Sequence, residues 1–148
     1  MAINNLKPKH DEDFYGWAIH TAQLLRNKRM DEVDFDSVIE EMDDMVSSAE
    51  GELRNRLSLL LSHLLKWQFQ QTLRSHSWIY TIREQRKQVK IHLRKSPSLK
   101  SKLKAVLVDA YDVAISKAAK ETSLEESAFP KECHYTFEQI IDENFYPE

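Results

Sequence analysis

The chain has 148 residues, a net charge of −3 and one cysteine, Cys133, so an intrachain disulfide is excluded and a reducing, cytoplasmic setting is the expectation. Two glycines and four prolines fall far below the usual roughly 7% and 5%, which leaves too little turn chemistry for a fold of many short strands. The longest apolar run, Ala105-Val106-Leu107-Val108, is too short to cross a bilayer, and Met1 to His10 reads as a polar lead-in rather than a secretory signal.

The charge is segregated along the chain. Met1 to Leu53 holds thirteen acids against five lysines and arginines. Arg54 to Lys104 holds thirteen lysines and arginines against one acid, Glu84, and the remainder turns acidic again with ten acids against three. Opposed charges therefore sit largely on different structural elements.

The first periodic segment runs from Asp11 to Lys28, with Phe14, Trp17, Ala18, Thr21, Leu24 and Leu25 on one stripe at helical spacing. Asp34 or Asp36 then caps a second helix carrying Phe35, Val38, Ile39, Met42, Met45, Val46, Ala49, Leu53, Leu57, Leu60, Leu61 and Leu64. This stripe predicts one long helix to Phe69, interrupted only by Gly51, with Met42, Met45 and Trp17 as core filling. After a polar connection, Ser75 or Ser77 caps a third helix bearing Trp78, Ile79, Ile82, Val89 and Leu93. Ser96-Pro97 starts a fourth, running to Lys120 on Leu99, Leu103, Val106, Leu107, Ala110, Ala114 and Ala118. Thr122 to Pro130 reads as a loop or broken turn, Thr136 with Glu138 and Gln139 opens a short helix, and Phe145-Tyr146-Pro147 packs as an aromatic strap. The pattern predicts an all-α fold: an antiparallel bundle of four main helices plus a short C-terminal helix, forming a single helical domain over residues 1–148.

An ordered set of short motifs carries a family resemblance: Asp13-Phe14-Tyr15 with Trp17, Ile39-Glu40-Glu41, His63-Leu64-Leu65-Lys66-Trp67-Gln68, Ser77-Trp78 with Thr81-Ile82-Arg83, Ser96-Pro97-Ser98-Leu99, and Phe129-Pro130 through Tyr135-Thr136. Together they resemble the bacterial domain-of-unknown-function family 29, short helical proteins abundant in cyanobacteria, over nearly the whole chain. The resemblance implies a helical fold and supplies no activity.

Three groups of residues are candidates for function. A polar cluster comprises His63, Lys66 and Trp67 on the second helix with Trp78, Arg83, Glu84 and Arg86 on the third. A turn centred near Leu73 places His63 level with Glu84 and Trp67 level with Tyr80. Arg86 falls inside the apolar stripe, four after Ile82 and three before Val89, so its guanidinium must find acceptors or snorkel outward. The functional reading is a pocket with His63 as base or ligand; the structural one is a network fixing helix register. The second group is basic: Lys87, Lys90, Arg94 and Lys95, continued by Lys100, a possible contact for a nucleic-acid backbone, although the pI of about 6.1 is unlike a typical basic binder. The third is a possible metal set, Glu41, Glu52 and His63, but steps of eleven residues separate these ligands by about 16 Å each, and adjacent Cys133-His134 lacks zinc-ligand spacing. No metal and no cofactor are therefore expected, nor a glycine-rich phosphate loop. The sequence favours a non-catalytic interaction or structural protein binding another protein or its own copy, with a nucleic-acid module as the alternative and a site around His63 as the third reading. Membrane binding is not expected.

Overall fold

The computed structural model describes residues 7–148, so the first six residues of the polar lead-in lie outside the described residues. All regular structure among the described residues is helical: α1 (Phe14–Arg26), α2 (Phe35–Phe69), α3 (His76–Lys95), α4 (Leu103–Thr122) and α5 (Phe137–Ile141), joined by short 3-10 turns. The chain divides into two compact units, one ending at Ser47 and one from Ser48 to Glu148, with α2 running unbroken from one into the other.

In the first unit, Asp13 caps α1 by accepting from the Gly16 amide at 3.0 Å. Asp34 starts α2 by accepting from both the amide and the hydroxyl of Ser37, as the sequence allows. The buried core here is small, Trp17, Thr21, Leu24 and Val33. Phe14 and Leu25, expected on the core stripe, are exposed.

The second unit is built around the C-terminal half of α2. From Leu60 to Lys66 every residue is buried, a helix surrounded on all sides. α3 runs antiparallel to it: Arg56 reaches Gln85 at 3.3 Å, and the His92 ring donates to the Ala49 carbonyl at 2.9 Å. These pairs correct the expected register. The chain reverses at Gln70, where α2 ends, rather than at Leu73, because the 3-10 turn Gln71–Leu73 already belongs to the return path. His63 is consequently not paired with Glu84, nor Trp67 with Tyr80. α4 runs in the same direction as α2, since Ser58 meets Lys117 and, two turns on, Lys66 meets Glu121. Ser96-Pro97 opens a 3-10 segment, Pro97–Lys102, and the α-helix proper begins only at Leu103. Thr136 and Gln139 form a capping box that starts α5, as the sequence predicts. Tyr146 and Pro147 of the strap pack down, with Tyr146 5.2 Å from Trp67 ring to ring.

The largest departure from the sequence reading lies on α2. Met42 is 59% and Met45 65% exposed, and Phe35, Ile39 and Val46 are exposed with them, so these residues do not fill a core. Between Phe35 and Ser48 only Ser37, Val38 and Glu41 are even half-buried, and Met42 to Ser48 is exposed on every side. In the second unit, α3 ends within a turn of His92, which is level with Ala49.

Candidate functional site

The centre of the second unit holds two cations that would be prohibitive to bury alone. Lys66 is 2% exposed. Its ammonium is hydrogen-bonded to the Glu121 carboxylate of α4, lies 3.4 Å from His63 Nε2, and sits 4.9 Å above the centre of the Trp78 ring. His63, 8% exposed, directs Nδ1 at the Leu59 carbonyl 3.0 Å away. A carbonyl only accepts, so Nδ1 carries the proton and Nε2 offers its lone pair to Lys66. Burial and the neighbouring Lys66 ammonium hold the His63 ring below its ordinary pKa, which keeps it neutral near pH 7. The Glu121 carboxyl is held below the usual range by its hydrogen bond from Lys66. As it stands, the imidazole has both nitrogens engaged within the protein.

Arg86 is 1% exposed and takes the first of the two alternatives its position demanded. Its Nε donates to the Ile140 carbonyl at 2.8 Å, and Nη2 donates to the Phe145 carbonyl at 2.6 Å. The guanidinium also lies over the Tyr146 ring. Ile140 is in the last turn of α5, where carbonyls lack intrahelical partners, so Arg86 both caps that helix and holds the strap. Burial lowers its pKa from a very high ordinary value.

The predicted cluster thus separates. His63, Lys66 and Trp78 are brought together. Trp67 instead packs against Tyr146 and under the Arg74 guanidinium, 4.5 Å away, while Arg74 Nε donates to the Trp67 carbonyl. Arg83 and Glu84 are exposed, and Arg83 joins Lys87, Glu143 and Asn144 around a surface hollow of about 330 Å³. Glu121 was absent from the sequence-derived cluster. Its signal was available only in three dimensions, because nothing local on α4 marks it from the neighbouring acids.

Lys87, Lys90, Arg94, Lys95 and Lys100 are all exposed. Lys90 faces Glu143 at 3.8 Å. A broad groove of about 820 Å³ runs between α2, α3 and α4, lined by Glu52, Arg56, Gln85 and Lys117 among others. Its charges answer one another: Arg56 donates twice to Glu52, which also lies 3.1 Å from the His92 ring. In the first unit, His10 is hydrogen-bonded to Glu41 and stacks edge-on against Trp17, and that carboxylate raises its pKa. Among the described residues, no group of three His, Cys, Asp or Glu side chains converges as a metal set, and no helix is long and apolar enough to cross a membrane.

These features define an all-helical protein whose bundle is closed around hydrogen-bonded cations. The chain belongs to the family described as Domain of unknown function DUF29, whose model matches residues 10–146. No curated protein and no solved structure matches it.

Proposed function

We propose that the chain is a non-catalytic, cytoplasmic protein-interaction module. The observation that carries this is the exposed apolar seam on α2, Phe35, Ile39, Met42, Met45 and Val46, because contiguous apolar surface of this kind marks an interaction site. The polar cluster around Lys66 supports the reading from the other side, since its groups bond to one another. The half-buried single thiol, Cys133, suits a reducing compartment. The test is co-purification from cells of the source organism with wild-type chain and with Ile39→Ser/Met42→Ser, alongside light scattering of the pure chain. A stoichiometric partner, or a self-assembly, that the double variant loses is the expected result. A strict monomer that recovers no variant-sensitive partner overturns it.

A second reading, a nucleic-acid-associated module, is favoured by the exposed row Lys87, Lys90, Arg94, Lys95 and Lys100. A gel-shift assay at low salt on mixed DNA and RNA decides it. Binding that weakens steeply with salt and with Lys87→Glu/Arg94→Glu supports it; no binding at low salt ends it.

A further inference from the structure

We infer that the α2 seam is the seat of a basic amphipathic helix belonging to a partner protein, an inference that rests on the interaction reading above. At 3.6 residues per turn, Phe35, Ile39, Met42, Met45 and Val46 fall within about a third of the helix circumference. Spacings of four, three, three and one residues suit the i, i+3, i+4 and i+7 anchors of a helix laid alongside. Among its described residues the first unit buries only Trp17, Thr21, Leu24 and Val33, the layout of a bundle short of one helix.

Charge selects the occupant. From Phe35 to Ser48 the helix carries five acids, Asp36, Glu40, Glu41, Asp43 and Asp44, and no lysine or arginine. At about 100° per residue Asp36 and Asp43 flank the seam beside Ile39, whereas Glu40 and Asp44 lie on the opposite face and Glu41 is bonded to His10. Lysines and arginines on that flank of a helix laid along the seam therefore gain ion pairs with Asp36 and Asp43, and acids there are repelled. The same seam of a second copy would set acids against acids. With exposures of 47–65% and side chains of about 150–200 Å² each, the five residues offer roughly 500 Å². Occupied, this gives an interface of roughly 1,000 Å² in total, at the low end of specific complexes, so the association is weak and reversible. Two methionines at its centre fit partners of differing shape, because an unbranched thioether adapts to irregular surfaces.

The test uses the full chain and a fluorescein-labelled designed peptide with leucine at i, i+3, i+4 and i+7 and lysine elsewhere, read by anisotropy. A mirror peptide with glutamate for lysine is the control, and sedimentation of the unliganded chain is run in parallel. Micromolar binding of the lysine peptide is expected, weakened about tenfold or more by the glutamate swap, by Ile39→Ser/Met42→Ser, and by raising salt from about 50 to about 500 mM. Asp36→Lys/Asp43→Lys, which leaves the apolar seam untouched, weakens it likewise. Equal binding of both peptides, or binding indifferent to these variants, overturns the inference. An unliganded dimer that the seam variants split also overturns it, making a second copy the occupant while the interaction reading stands. Absent peptide binding with a variant-sensitive partner still co-purifying removes the basic helix alone; absent both, the interaction reading falls too.

Discussion

Lys66 and Glu121 form an unequal pair: the ammonium is sealed in while its carboxylate is half-exposed. Removing the acid strands a buried charge, whereas removing the lysine removes the need for the acid. Glu121→Gln is expected to destabilise the chain by roughly 2–3 kcal/mol, below the ~3–5 typical of fully buried pairs because water reaches the Glu121 side. Lys66→Met should be close to neutral, with urea unfolding as the measurement. Equal losses from both variants would show that the pair itself stabilises the fold. His10 and His63 shift in opposite directions. Glu41 raises His10, so its contribution is full below the ordinary value of about 6.5 and is lost as pH rises through its higher folded value. His63 is lowered, so its contribution is present above about 6.5 and is lost as pH falls through the folded value. Ring-proton NMR should place one midpoint on each side of the unfolded value, and Glu41→Gln should move only the His10 midpoint back toward it. Arg86 illustrates what the sequence carried at this scale: a charge inside an apolar stripe announces that it needs acceptors, but the carbonyls it finds lie more than fifty residues onward.

At the scale of the elements, α2 spans 35 residues, about 52 Å, and passes through Gly51 without a break. A methyl group at Gly51 would meet only Arg54 Nη2, at an ordinary 3.6 Å. Gly51→Ala is therefore expected to raise stability by about 1 kcal/mol, seen as a higher urea midpoint at unchanged slope. A loss would mean that this position needs a freedom the helical backbone does not reveal. The caps at Asp34, Ser75 and Thr136 were legible because capping is local chemistry between a side chain and an amide three residues on, whereas Asp13, read inside the first helix, proves to cap it. Register and coverage were not. Periodicity gives the direction in which an apolar stripe faces and is silent on how far a neighbouring helix extends, so Leu53 to Leu64 and Phe35 to Val46 read alike although only the former are all or nearly all covered. The polar cluster was half legible for the same reason: His63 and Lys66 share one helix, whereas Glu121 depended on the unread position of α4.

For the whole molecule, the two units differ in what holds them. The second has an extensive core from Leu53 to Ile140, while the first buries four side chains among its described residues. Amide exchange should therefore be slowest from Leu57 to Lys66 and faster through α1 and the first turns of α2. Uniform protection along α2 would show instead that the helix opens as one piece. The Arg86 contacts set a further condition on the second unit, one of order in time. During synthesis α2, α3 and α4 emerge first, with a guanidinium among them that has no acceptors until residues 139–145 follow. A nascent chain halted before that point would carry an uncompensated charge at its centre and hold the helices loosely, so the bundle locks only once α5 and the strap have left the ribosome.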